Sequence, residues 1–155
     1  MSSKDGIDFK IKVHKSCMQL IDSRIQSTQE ELEHLNRTAE EETKSSMGDK
    51  YETGRAMVQQ EIDKQHSTLV NLIQMQNQLN QFDPSKSDDS VQQGSLIHTN
   101  HGWIYVMVGL GNIEVEGKEV IVISPAAPVV NFLQKALSQG ESTLNGRKYE
   151  VKQIL

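Results

Sequence analysis

The sequence predicts an α+β fold: an N-terminal antiparallel helical hairpin, a linker, and a small antiparallel sheet with one short helix. Three observations support this prediction. Apolar residues recur at heptad spacing through the first half of the chain. A polar segment that contains Pro84 ends this pattern, because proline cannot continue a helix. Short runs of β-branched residues separated by turn residues follow it.

The first helical segment has a seam of core candidates that lasts for about four heptads. Most residues between the seam positions are polar, as expected for a helix face in water. Residues 1–7 are also polar and are expected to be frayed, so the hairpin is predicted over 8–83. The seam positions are Ile11, His14, Met18, Ile21, Ile25, Thr28, Leu32, Leu35 and Ala39.

Gly48 interrupts the helical pattern, and a second seam follows it. The two segments have about 30 residues each, which corresponds to ~45 Å per helix. A short polar connection between helices of matched length favours an antiparallel hairpin with its tip near 45–53. The alternative is one continuous helix in a parallel dimer, against which Gly48 and Gly54 argue. The second seam is Val58, Ile62, Gln65, Leu69, Leu72, Gln76 and Leu79.

The C-terminal part is predicted to be a separate domain over 91–155, after a linker at 84–90. Asn145-Gly146 is a strong signal for the turn of a β-hairpin. The predicted elements are strands at Ser95–Thr99, Trp103–Val108, Ile113–Glu116 and Glu119–Ile123, a helix at Val129–Leu137, and a hairpin of Glu141–Leu144 with Lys148–Ile154.

Composition limits the classes of function. The formal net charge of -5 argues against nucleic-acid binding over a broad basic surface. Cys17 is the single cysteine, so no disulfide framework forms and a reducing compartment is the simpler expectation. No stretch approaches the ~18 apolar residues of a membrane span. We therefore expect a soluble, cytoplasmic protein that does not associate with membranes.

Asp49 and Glu52 are the first candidates for chemistry. At positions i and i+3 of a starting helix, their carboxylates lie on the same side. Two hard oxygen ligands suit a Mg²⁺ ion whose remaining positions are filled by water or phosphate. The same spacing is also typical of a helix cap, in which Asp49 accepts from free N–H groups and Glu52 reaches back. The spacing favours the cap and leaves the metal open.

Four cationic residues lie in or near the predicted tip: Arg37, Lys44, Lys50 and Arg55. They could contact the phosphates of a nucleic acid. The simpler interpretation is a solvated helix surface balanced by the nearby glutamates.

The remaining candidate residues indicate structure rather than catalysis. His98 and His101 have no third metal ligand spaced near them. His14 falls on the first seam and is expected in the core. Trp103 and Tyr105 could anchor a partner, but their alternation with apolar residues favours a core strand.

The tip segment Gly48–Thr53, GDKYET, resembles the G-D-x-x-E-N motif of the bacterial Gre transcript cleavage factors. Later segments are similar to the family's ordered motifs, and the resemblance spans nearly the whole chain. It implies an FKBP-like fold for the C-terminal domain. These segments are VQQGS at 91–95, Ser124-Pro125, Leu133-Gln134-Lys135, Gly140-Glu141 and Tyr149-Glu150-Val151.

The resemblance implies a function. In that family the hairpin enters the secondary channel of bacterial RNA polymerase. Asp49 and Glu52 would then help to hold a catalytic Mg²⁺, so that water cleaves backtracked RNA and releases a 3′ fragment of the nascent transcript. Lys44, Lys50 and Arg55 would contact polymerase or nucleic acid near the tip. The protein would act as a monomer and would not be an enzyme by itself, because the polymerase supplies the other ligands.

Departures from the family pattern leave two alternatives open. Thr53 replaces the Asn of the motif, Lys50 replaces a residue that is usually apolar, and the rod has Glu40–Glu42 where the family often has a basic patch. These differences concern cleavage more than polymerase binding, so one alternative is an inhibitor that binds the channel without cleavage. The other is a coiled-coil and FKBP-like interaction module unrelated to transcription.

Overall fold

A computed structural model describes the backbone of residues 2–44 and 48–155, and the side chains of residues 2, 4–41 and 54–155. The fold is α+β, with two N-terminal helices followed by a mixed five-stranded sheet, a short helix and a two-stranded sheet. The predicted fold class is confirmed at this level. The elements are α1 (Ser3–Lys44), α2 (Gly48–Asn80), β1 (Leu96–Thr99), β2 (Gly102–Val106), β3 (Gly111–Val115), β4 (Lys118–Ile123), α3 (Pro128–Gln139), β5 (Ser142–Leu144), β6 (Arg147–Tyr149) and β7 (Val151–Ile154).

The chain forms two compact units. One unit combines Met1–Met18 with Gln78–Leu155, and the other is Gln19–Asn77. The ends of both long helices therefore group with the sheet. The predicted bounds of the linker at 84–90 and of the domain at 91–155 stay predictions.

Within the unit Gln19–Asn77, α1 and α2 run antiparallel. Gln76 Nε2, near the end of α2, donates a hydrogen bond of 2.8 Å to Asp22 Oδ1, in the first half of α1. Farther along α1, Leu32 and Leu35 cluster with Ile62 of α2. The residue numbers of the contacts on α2 therefore decrease as those on α1 increase, as in an antiparallel hairpin.

The predicted seams are confirmed in this unit. Thr28 is the polar member of the buried set, and its Oγ1 donates to the carbonyl of Arg24 at 2.8 Å, so its burial leaves no hydroxyl unsatisfied. Apolar burial along one stripe of each helix is what holds such a pair together. The buried seam residues are Ile21, Thr28, Leu32, Leu35, Ile62 and Leu72.

The beginning of α1 differs from the prediction. The helix starts at Ser3, so the expectation of a frayed segment is wrong for residues 3–7. Gly6 packs so closely that an added Cβ would lie 2.8 Å from Leu155 Cδ1. Phe9 is buried, with its ring centroid 5.0 Å from that of Trp103. The packing of Gly6 against Leu155, the last residue of the sequence, stabilises a segment whose own sequence is largely polar.

The buried face of α1 also changes along the helix. Ile11, predicted in the seam, is 37% exposed, whereas Phe9, Val13 and Cys17 are buried. These three residues are spaced i, i+4 and i+8 and share one face. All three belong to the unit that contains the sheet. The first part of α1 therefore buries residues that the heptad pattern did not predict to be buried.

The five-stranded sheet has the order β3-β4-β2-β1-β7 and is mixed, so the predicted antiparallel sheet is wrong in one pairing. β2 and β4 are parallel, with Trp103 opposite Val120. β4 lies between β3 and β2 in the sheet. It is antiparallel to β3, and the turn at Glu116-Gly117 joins the two strands. Side-chain alternation along each strand does not specify this order.

β2, the central strand of the sheet, is buried on both faces. Ile104 and Val106 belong to a core cluster with Val130 and Leu133 of α3. On the opposite face, Trp103 is 7% exposed and Tyr105 is fully buried. The interpretation of these aromatics as core residues is confirmed.

The predicted strand Lys148–Ile154 is two strands in two different sheets. The side chain of Asn100 hydrogen-bonds to the backbone on both sides of Tyr149, where β6 ends. Its Nδ2 donates to the carbonyl of Lys148 at 2.7 Å, and its Oδ1 accepts from the amide of Glu150 at 2.9 Å. The predicted turn is confirmed, with Asn145 and Gly146 both at positive φ, 52° and 77°. Among the described helices, none is long and apolar enough to cross a membrane.

Candidate functional site

The predicted acidic pair lies at the beginning of α2. α1 ends at Lys44 and α2 begins at Gly48, so Asp49 and Glu52 are three positions apart on helical backbone. Residues with this spacing are neighbours on one face of a helix. The side chains of Asp49, Glu52, Lys44 and Lys50, and all of residues 45–47, lie outside the described part of the chain. The metal and cap interpretations both stay predictions.

The helix end itself has an electrostatic effect on this segment. The N-terminus of an α-helix has a partial positive charge and free N–H groups, which favour ionised carboxylates in the first turn. Asp49 is in that turn of α2 by its backbone position. The effect is the same whether the carboxylate caps the helix or binds a cation, so it does not distinguish the two roles.

The described cationic candidates are on helix surfaces. Arg37 of α1 and Arg55 of α2 are both exposed. Glu40 and Glu41 are exposed on the same part of α1 as Arg37. Both signs of charge are therefore present on the described residues that flank the tip, which fits a solvated surface as well as a phosphate contact.

The histidines of the sheet have structural contacts. The His98 ring stacks on Trp103 with centroids 4.2 Å apart and an interplanar angle of 7°. His101 Nε2 lies 2.8 Å from the carbonyl oxygen of Lys148. In the part of the chain that the structure describes, no three His, Cys, Asp or Glu side chains are arranged to hold a metal ion.

His14 belongs to a buried hydrogen-bond network. Its Nε2 lies 2.9 Å from the carbonyl oxygen of Leu79, and its Nδ1 lies 2.8 Å from the hydroxyl of Tyr105. Since a carbonyl only accepts, Nε2 is the protonated nitrogen, and Nδ1 accepts from Tyr105. Burial lowers the pKa of His14, an effect opposed by the bond to Leu79 and reinforced by Lys10. The network thus joins α1, the end of α2 and β2 through a neutral imidazole. The seam spacing predicted the burial of His14, but nothing in the sequence identified its partners.

Lys10 is a buried cation that the sequence pattern missed. Its residue is 1% exposed, and its Nζ donates to the carbonyl of Lys86 at 2.8 Å. Burial lowers the pKa of Lys10 to about 8, and the charges of Asp88 and Asp83 act in the opposite direction. The amine ties the segment after α2 to α1.

Cys17 has no features of a nucleophile. Its side chain is buried, and burial raises the pKa of the thiol to about 12. The thiolate that nucleophilic chemistry requires is therefore scarce at neutral pH.

Comparison of the chain with protein-family models, with curated proteins and with solved structures finds no match. The similarity to the Gre factors consequently rests on the tip segment and on the order of the motifs in the sequence.

Proposed function

We propose that this protein is a Gre-like cytoplasmic regulator of bacterial RNA polymerase, in which Asp49 and Glu52 assist the cleavage of backtracked RNA. One observation is the main support: an acidic pair at i and i+3 occurs where the second of two antiparallel helices begins. The motifs of the C-terminal part, in family order, add to it.

The donor set fits a shared metal site. Asp49 and Glu52 provide two hard oxygen ligands, and Mg²⁺ prefers such ligands in an octahedral shell. Two carboxylates do not fill that shell, so the polymerase and water would complete it. When bound, the ion would lower the pKa of an attacking water and neutralise developing charge. On this proposal the protein is a monomer without enzymatic activity of its own.

The cations near the tip have a supporting role in the proposal. Lys44 and Arg55 flank the acidic pair in the sequence, and Lys50 lies between its two members. All three would contact polymerase or the nascent RNA. Their charges would also reduce the repulsion between the acidic tip and RNA phosphates.

The test is transcript cleavage on stalled, backtracked polymerase complexes with Mg²⁺. Wild type should release 3′ fragments, and Asp49→Asn should abolish the stimulation although Asn caps a helix about as well as Asp. Asp63→Asn is the matched control, since Asp63 is an exposed carboxylate farther along α2. If wild type and Asp49→Asn are equally active or equally inert, the cleavage proposal is wrong.

A channel-binding inhibitor is the second candidate, because Lys50 and Thr53 depart from the family motif. This version predicts slower elongation, retained polymerase binding and little dependence on Asp49. A pull-down with purified polymerase separates both versions from an interaction module unrelated to transcription. Absence of binding contradicts both polymerase proposals.

A further inference from the structure

An open groove of about 340 Å³ lies in the unit that contains the sheet. Its first wall is one face of α1, where Ile11, Lys15 and Met18 are spaced i, i+4 and i+7. The volume is at the lower end of the range of small-molecule sites, about 300–1,000 Å³. The other lining residues are His14 of α1 and Leu79, Asn80, Phe82 and Pro84 at and after the end of α2.

The walls of this groove are fixed by contacts behind them. His14 is held at both ring nitrogens, by Tyr105 and by the carbonyl of Leu79. The Phe82 ring packs on Gly94, where an added Cβ would overlap it. Pro84 has a restricted backbone. A preformed site spares a ligand the cost of ordering its walls.

Most of the residues that line the groove are apolar. Ile11 is 37% exposed, although its place in the heptad seam predicts burial. Single exposed apolar residues are normal on protein surfaces. Here, however, Ile11 shares one concave surface with Met18, Leu79 and Phe82. Covering that surface with an apolar ligand is favourable in proportion to the area removed from water.

The charge among the residues that line the groove is positive and comes from α1. Lys15 is exposed and lines the groove between Ile11 and Met18. His14 presents a neutral ring, because burial lowers its pKa and its Nδ1 accepts from the hydroxyl of Tyr105. The acid next in sequence to the lining is Asp83, whose Oδ1 accepts from the amide and the hydroxyl of Ser85. Of the residues that line the groove, Lys15 alone is charged, so an anionic group is best placed there.

We propose that this groove binds a small amphiphilic anion, with an apolar body against Ile11, Met18 and Phe82 and a carboxylate or sulfonate at Lys15. The site does not depend on the proposed role of Asp49 and Glu52, and none of its residues belongs to the tip.

The probe for this site is 8-anilinonaphthalene-1-sulfonate, added to the full-length protein and followed by its fluorescence. Wild type should bind it saturably with one-to-one stoichiometry. Ile11→Gln should weaken binding roughly tenfold and Lys15→Gln roughly fivefold, through loss of apolar contact and of the charge. Both replaced residues are exposed, so the fold should tolerate the changes.

Two matched variants serve as controls. Val70→Gln replaces an apolar residue on α2 that is 54% exposed and lies outside the groove, and Lys64→Gln removes an exposed charge from the same helix. Both should bind the probe as wild type does. Circular dichroism and the fluorescence of Trp103, the single tryptophan, verify that each variant is folded.

A neutral analogue, N-phenyl-1-naphthylamine, tests the charge preference. It should bind more weakly than the sulfonate and be insensitive to Lys15→Gln. Non-saturable binding of the sulfonate, or equal weakening by Ile11→Gln and Val70→Gln, overturns the site. Equal binding of both probes, with no effect of Lys15→Gln, overturns the assignment of an anionic ligand.

Discussion

The aromatic ring of Phe82 packs directly over the backbone of Gly94, where no other residue type leaves room for it. Phe82 follows the end of α2, and Gly94 precedes β1, so this contact joins the two sides of the connecting segment. Gly94 also has φ of 94°, a conformation that residues with a Cβ rarely adopt. Packing and backbone conformation thus require glycine at the same position.

We expect Gly94→Ala to destabilise the protein by about 2–4 kcal/mol, through left-handed strain and overlap with the ring. Urea unfolding followed by Trp103 fluorescence measures the change, since Trp103 lies in the same unit. Gly109→Ala is the control, because an added Cβ there meets nothing within 4 Å. A loss below 1 kcal/mol for Gly94→Ala would show that the ring moves aside easily.

The buried His14 should make the protein sensitive to acid. Its folded-state pKa is lowered, so as the pH falls below about 6.5 the unfolded chain binds a proton first. The stability associated with His14 is therefore complete above pH 6.5 and is lost as the pH falls through the folded pKa.

Urea unfolding at pH 7.5 and pH 5.0 tests this for wild type and His14→Gln. The variant should be less stable at pH 7.5, because an open-chain amide does not fill the space of the imidazole ring or fix the directions of the bonds to Leu79 and Tyr105. It should also lose less stability on acidification. Replacing the exposed His66 by Gln should leave the wild-type pH dependence unchanged. An identical acid loss in wild type and His14→Gln would contradict the prediction.

Lys10 should produce a pH dependence on the alkaline side. Its pKa is lowered to about 8, whereas the unfolded chain keeps a pKa near 10.5. Between these values the unfolded state binds more protons, so the contribution of Lys10 to stability rises with pH. The rise should be on the order of 2 kcal/mol between pH 8 and pH 10.5.

The difference in unfolding free energy between wild type and Lys10→Met isolates this effect from other alkaline titrations. The difference should shift in favour of wild type as the pH rises. The same comparison for the exposed Lys64→Met should be flat. A flat difference for Lys10 as well would mean that its amine is solvated.

Asp49 allows stability to be separated from function. If it caps α2, Asp49→Ala should cost about 0.5–2 kcal/mol, while Asp49→Asn should be nearly neutral. Thermal unfolding of the two variants, beside Asp63→Asn, gives this comparison. Equal stability of wild type and Asp49→Ala would exclude the cap.

Much of the fold could be predicted because it depends on short-range patterns. The seam residues Leu32, Leu35 and Ile62 lie where heptad spacing placed them. The turn at Asn145-Gly146 follows from the positive φ that these two residues tolerate. The helix predicted at Val129–Leu137 extends from Pro128, at its first turn, to Gln139 before Gly140. The acidic pair was also identifiable from spacing alone.

The sequence by itself thus determined the two long helices, the strand positions and the candidate tip residues, because periodicity and turn chemistry act between near neighbours. Only the tertiary structure decided that β4 inserts beside β2, that Asn100 divides the last strand in two, that Lys10 is buried and that Ile11 is exposed. Each of these depends on contacts between residues far apart in the chain. Such contacts are selected by the burial and hydrogen bonding of the whole unit, which a local pattern does not encode.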